Sequence, residues 1–252
     1  MKKIVGLVIC ISVLTIRAQK KYTSTNTHSH NDYEQSQPFS LAYQHRFGSI
    51  EADIWLRDGN LYVAHDAKDI NPSRTLSALY FDPINNIVAS NKMIYPNHQK
   101  MQLLIDIKTE AASTLDALVK LLETYPLITK NKNIILAVSG NRPQPEHYTD
   151  YPSFIYFDGR PTETYNKSSL KKIALISEAF YKFSLWKGEG TMKEEEKKKM
   201  EEIVEAAHKM KKPFRFWATP DTKDAWKMLM EIKTDFINTD HIVTLSNFIQ
   251  QQ

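Results

Sequence analysis

A chain of 252 residues with 42% hydrophobic and 25% charged residues has the composition of a globular protein, long enough for one large domain, and no Gly/Ser/Pro-rich linker divides it. The formal net charge of +4 is too small to speak for nucleic-acid binding, and three of the 33 Lys and Arg residues (Lys2, Lys3 and Arg17) belong to the opening stretch. The single cysteine, Cys10, lies in that stretch too, so the rest of the chain holds no disulfide, cysteine nucleophile or cysteine-ligated metal.

In chain order, Lys2-Lys3, an uncharged apolar run over 4–16 and small or polar residues near Ala18 form the pattern of a secretory signal peptide over residues 1–18. The run is shorter than the ~20 apolar residues a membrane-spanning helix needs, so at most peripheral membrane contact is expected. Cys10 follows Ile9 where a lipid anchor would want a small residue. Export to the periplasm or beyond the cell is the expectation, with 19–252 as the mature domain.

Short β-rich runs at 22–27, 49–55, 102–108, 133–139, 154–157, 174–177, 214–218 and 235–239 then alternate with helical patterns at 38–46, 111–124, 164–171, 193–210, 221–232 and 242–251. This is the rhythm of βα units on a parallel sheet, and about eight strands is the number that closes an α/β (β/α)8 TIM barrel. Arg57-Asp58-Gly59-Asn60 is a turn signal between two apolar runs, predicting a hairpin that extends the second strand. The Pro- and Asn-rich stretch 67–100 predicts an irregular excursion over one end of the barrel. Charge alternates in sign through 193–212 at helical spacing, predicting a solvated helix with Ile203, Val204 and Ala207 toward the core.

Polar residues fall at the ends of these strands, where a barrel gathers its chemistry at one mouth. His28 follows the first strand, Glu51 and Asp53 interrupt the second, His65 ends the hairpin, and Asp106 and Lys108 close the third. Asp240, after the eighth, reads as a helix cap. Glu51-Ala52-Asp53 places two carboxylates on one face of one strand, where they repel each other. A divalent cation relieves that repulsion; oxygen ligands suit Mg²⁺ or Ca²⁺, with Asp106 as a third carboxylate. The alternative is pairing of the carboxylates with Lys108 and Arg142. His28 and His65 titrate near neutral pH and supply an acid and a base for splitting a phosphodiester. A zinc site on His28-Ser29-His30 is the rival.

The segments HSHNDY (28–33), SIEADIWLRDGNLYVAHD (49–66), LLIDIK (103–108) and FRFWATPD…DFINTD (214–221 and 235–240) resemble the PLC-like phosphodiesterase superfamily, which holds the glycerophosphodiester phosphodiesterases and phosphatidylinositol-specific phospholipases C. They are nearest to its altered-inheritance-of-mitochondria protein 6-like branch. The resemblance implies a PLC-like TIM barrel with His28 and His65 as catalytic acid and base. It also implies Glu51, Asp53 and Asp106 as metal ligands, Lys108 on phosphate and Trp217 at the pocket floor. His30, Asn31 and Asn141 complete the substrate-binding set. Two positions depart from the glycerophosphodiesterase pattern: His28-Ser29-His30-Asn31 replaces His-Arg-Gly, removing an arginine expected at the phosphate, and Asp106 stands where glutamate is usual. Both lean toward the sphingomyelinase D relatives. The expected activity is metal-dependent hydrolysis of a glycerophosphodiester or phospholipid-type substrate by a monomer; a non-catalytic barrel binding a phosphorylated or sugar-like ligand is the alternative.

Overall fold

A computed structural model describes residues 21–251. Its strands are β1 (Thr27–Ser29), β2 (Ser49–Arg57), β3 (Asn60–Val63), β4 (Met101–Ile107), β5 (Ile134–Gly140), β6 (Ile155–Gly159), β7 (Ile173–Ala179), β8 (Phe214–Trp217) and β9 (Ile237–Thr239). Eight of them run in the order β8-β7-β6-β5-β4-β2-β1-β9, every neighbouring pair parallel, while β3 folds back antiparallel on β2. A parallel bridge from Arg215 to Phe236 brings β8 to the segment entering β9, nearly closing the barrel. The β2–β3 hairpin turns through Asp58 (φ 49°) and Gly59 (φ 77°), two left-handed positions that the predicted Asp-Gly pair suits.

The helices are α1 (Ser40–Gln44), α2 (Asp82–Asn91), α3 (Ala111–Glu123), α4 (Pro126–Thr129), α5 (Lys167–Lys171), α6 (Glu194–Lys209), α7 (Lys223–Glu231) and α8 (Ile242–Gln250). In α6, Glu194, Glu195 and Glu196 occupy the first turn and His208 and Lys209 the last, complementing the helix dipole, while Met200, Val204 and Ala207 are buried. No helix among the described residues is long and apolar enough to cross a membrane.

Two expected elements differ. The stretch 67–100 is not irregular throughout: a wide helical turn, Ser77–Phe81, runs into α2, and Tyr80, Phe81, Ile84 and Val88 are buried along it. Pro83 falls where that wide turn passes into α2, and it lacks the N–H that would continue the ladder there. The first strand also lies later than expected, because Thr23 and Asn26 close a capping box around a short 3-10 turn, Ser24–Asn26. His28 therefore stands inside β1 and not beyond it.

Between strands and helices lies the large apolar layer. The barrel interior is different. Leu104, Ala137 and Leu175 form a small apolar plug against which Phe236 packs, and the inward positions nearer the strands' C-terminal ends are polar. That division places the chemistry at one mouth.

Candidate active site

Register decides what meets what. Asp53 on β2 lies beside Asp106 on β4, and one ligand oxygen from each of Glu51, Asp53 and Asp106 lies within 4.8 Å of the others. Burial and the Glu51 charge push Asp53 up to about 6 against the pull of Lys108, and the same two causes raise Asp106. Asp53 Oδ2 accepts from the Tyr33 hydroxyl (2.7 Å) and pairs with Lys108 Nζ (3.0 Å), while its Oδ1 is buried without a partner. Three converging carboxylates, two of them resisting ionisation and one with an orphaned buried oxygen, have the donor chemistry that a hard divalent cation satisfies. Mg²⁺ and Ca²⁺ fit these residues. Among the described residues this is the one group with metal-ligand spacing, and it contains no histidine, which gives the zinc alternative no support.

Lys108 also pairs with Asp106 (2.9 Å); burial opposes its charge, but Asp106 and Asp53 outweigh that and raise its pKa. The pairing alternative is thus half realised. Arg142 goes elsewhere, to Glu163 (2.8 Å) and the Asp158 carbonyl.

His28 is fully buried and level with Ser49. Gln102 Nε2 donates to Ser49 Oγ (2.9 Å), which lies 2.7 Å from His28 Nδ1, and His28 Nε2 lies 2.6 Å from Glu51 Oε2. Burial and Arg215 push this imidazole down to about 4. His30, one residue beyond β1 and on the same face, stands level with Glu51 and is part-exposed; its Nδ1 lies 2.8 Å from Asp240 Oδ1. Burial lowers its pKa, but the Asp240 hydrogen bond and the charges of Glu51 and Asp240 outweigh that and raise it. Asp240 therefore serves His30, a correction to its reading as a helix cap: His241 holds the N-cap position of α8. His65 is well exposed, with Nδ1 3.2 Å from Tyr33 Oη and 3.4 Å from Asp53 Oδ2. Of the two histidines expected to do the chemistry, His65 opens to the mouth and His28 is sealed beneath Glu51, because β1 starts late and carries His28 one layer down.

The remaining expected residues divide. Asn31 takes a left-handed conformation (φ 44°), with its Oδ1 3.0 Å from Tyr33 Oη. Asn141 donates its side-chain amide to the Lys108 and Thr109 carbonyls (3.2 and 2.9 Å), which braces the β4 end. Trp217 stands edge-on to Tyr181, its buried indole N–H without a partner.

Arg215 escaped sequence reasoning. Its guanidinium donates to Glu51 Oε2 (2.9 Å) and crowds His28 Nε2 (2.5 Å), both inside the barrel. Burial would raise the Glu51 carboxyl, yet Arg215 and His28 hold it well below the usual range. The signal was legible: Phe214-Arg215-Phe216-Trp217 alternates, placing an arginine on the same strand face as Trp217. Tyr33, in the His-Asn-Asp-Tyr motif, was likewise missed as the hydroxyl joining Asp53 to His65. Further round the barrel, Asp158 is fully buried, accepts from Ser139 and Ser177 (2.9 and 2.7 Å) and pairs with Arg160 (2.9 Å).

The family model described as an AIM6-like phosphodiesterase domain matches residues 17–135. Altered inheritance of mitochondria protein 6 of Kluyveromyces lactis is 26% identical over 88% of this chain and 72% of its own, and that of Eremothecium gossypii 26% over 89% and 69%. Among solved structures, a glycerophosphodiester phosphodiesterase from Parabacteroides distasonis superposes with TM-score 0.56 at 15% identity, covering 90% of this chain and 97% of that one. A calcium-dependent phosphoinositol-specific phospholipase C from Pseudomonas sp. does so with TM-score 0.56 at 11%, covering 90% and 93%. The resemblance drawn from the motifs and the PLC-like TIM barrel are borne out. Export is not: the relatives that span most of the chain are yeast proteins whose name points to mitochondrial inheritance, and the expected leader at 1–18 lies outside the described residues.

Proposed function

We propose that this barrel, similar along its first half to the AIM6-like phosphodiesterase domain, hydrolyses phosphodiesters with the help of a divalent cation, on a small glycerophosphodiester or phospholipid-type substrate. The observation that carries the reading is the convergence of Glu51, Asp53 and Asp106 at a mouth onto which His30 and His65 also open. Glu51, Asp53 and Asp106 would hold the cation, which when bound would supply positive charge to a non-bridging phosphate oxygen. Lys108, held between Asp53 and Asp106, would add a second positive charge to the same phosphate.

Proton transfer falls to the two reachable histidines. His65 keeps Nδ1 toward Asp53 and Tyr33, so in the neutral ring Nε2 is free to take a proton from the nucleophile, either water or a substrate hydroxyl. His30, held toward its cationic form by Asp240 and Glu51, returns a proton to the departing alkoxide. His28 takes the supporting part: with Ser49 and Arg215 it orients Glu51 from below.

Hydrolysis of bis(p-nitrophenyl) phosphate with and without chelator tests the reading. Chelator is expected to abolish turnover. His65→Ala should lower kcat by roughly 10²- to 10⁴-fold with KM nearly unchanged, because a general base acts on the transition state; His30→Ala should do the same on a glycerophosphodiester, whose alkoxide must be protonated to leave, and far less on the p-nitrophenyl ester, whose phenolate leaves unaided. Wild-type protein that binds phosphodiesters but never hydrolyses them would favour the ligand-binding alternative. Full activity in both histidine variants would end the acid/base assignment.

A further inference from the structure

A second site lies at the opposite end of the barrel, where helices lead into strands. A cavity of about 350 Å³ opens there, and Lys100, Lys130, Lys132, Lys171 and Lys212 line it without a single Asp or Glu. These lysines come from the segments before β4, β5, β7 and β8, so four of the five connections leading into β4–β8 place positive charge on one cleft. None of the five, nor the neighbouring Lys172, makes an ion pair among the described residues. Lys212 Nζ has the Ile173 carbonyl (2.7 Å) and Lys172 Nζ the carbonyls of Tyr151 and Pro152 (3.1 and 2.6 Å). Lys172 also lies 5.9 Å over the ring of Tyr156, which lines the cavity.

Carbonyl dipoles hold an ammonium in place but do not neutralise it. Burial lowers the pKa of both Lys172 and Lys212, the mark of charges held partly out of water without an opposite charge beside them. Like charges gathered around one recess repel each other, and the ligand that relieves them carries several negative charges within a small volume.

We propose that this cleft binds a soluble multivalent phosphate anion, independently of the catalytic mouth. Clustered phosphates match ammonium groups as point charges, and the recess is large enough for a small polyphosphate. An anionic bilayer offers the same chemistry, but docking through this end would turn the mouth away from the bilayer, which favours a free anion.

Calorimetric titration of the full chain with inorganic triphosphate, with chelator present to silence the carboxylate site, is the test. Saturable binding is expected, weakened about tenfold or more in Lys100→Gln/Lys130→Gln/Lys132→Gln. These three side chains are exposed, so thermal unfolding should be unchanged. Lys120→Gln/Lys198→Gln/Lys227→Gln, exposed on the outer helices, removes the same charge elsewhere and should bind like wild type. Equal weakening in both triple variants would reduce the effect to net charge and overturn the site, as would no saturable binding by the wild type. Co-sedimentation with phosphatidylserine vesicles that needs the cleft lysines, with no affinity for triphosphate, would overturn the soluble ligand in favour of a membrane surface.

Discussion

Glu51 carries two duties that pull against each other. Its carboxylate balances the buried Arg215 while also standing in the carboxylate cluster, so removing its charge strands the Arg215 guanidinium in the barrel. Glu51→Gln is therefore expected to lose divalent-metal affinity and, by breaking one half of a buried pair, to cost about 3–5 kcal/mol of stability. Glu51→Gln/Arg215→Met should recover most of that stability and none of the affinity, since an apolar replacement removes the stranded charge. Urea unfolding together with Mg²⁺ and Ca²⁺ titration reads both, and unchanged affinity in either variant would take Glu51 out of the metal cluster. His28 makes a pH prediction. Its folded pKa of about 4 lies below its ordinary 6.5, so unfolding takes up a proton between those values, and the stability from keeping it neutral is present above pH 6.5 and lost as pH falls toward 4. Asp53, raised to about 6, works in the opposite direction over part of that window, so wild type alone would blur the effect. The stability difference between wild type and His28→Asn isolates it, and should shrink by about 2 kcal/mol between pH 7 and pH 4.5. A difference independent of pH would contradict a neutral, sealed His28.

At the scale of elements, the ends of β4 and β5 show how closely backbone and site are built. Gly140 closes β5 with φ 68°, and a Cβ there would come within 2.4 Å of Asp106 Oδ1 and 2.5 Å of the Ile107 carbonyl. Gly140→Ala is expected to cost more than the ~1 kcal/mol of a left-handed backbone alone and to weaken metal binding by displacing Asp106. Thermal unfolding and Mg²⁺ titration check the two effects; lost stability with intact affinity would show that β5 does not position the carboxylate. The Ser77–Asn91 helical stretch was legible as well as missed. Tyr80, Ile84 and Val88 repeat at helical spacing, but Pro83 and the Asn85-Asn86 pair drew attention as breakers; Pro83 falls where the wide turn passes into α2, and Asn86 is exposed. In β1 the lesson is reversed: Tyr22 to Thr27 has the composition of a strand, yet a capping box between Thr23 and Asn26 claims it locally.

For the whole molecule, closure is the weak seam. β1 and β9 are three residues each, β8 meets the segment entering β9 through one bridge, and α8 packs beside β1 with Ile242, Leu245, Phe248 and Ile249 buried. Those four side chains represent about 6–12 kcal/mol of burial, comparable to the ~5–15 kcal/mol net stability of a domain. Removal of residues 242–252 is expected to abolish cooperative unfolding by circular dichroism; a sharp transition in the truncated chain would show that the seam closes without α8. The sequence alone determined the barrel, through strand and helix periods that each residue type obeys locally. It also determined the carboxylate cluster, since alternation along β2 must put Glu51 and Asp53 on one face and the Glu-x-Asp, turn, His-Asp signature is contiguous. Only the tertiary structure decided which histidine faces the mouth, that Arg215 lies under Glu51 although 164 residues away, that Asp240 serves His30, and that lysines from four separate connections share one cleft. Each of these depends on the stagger of strands distant in sequence, and a shift of one layer in β1 exchanges a buried histidine for an open one, a difference to which local pattern is blind.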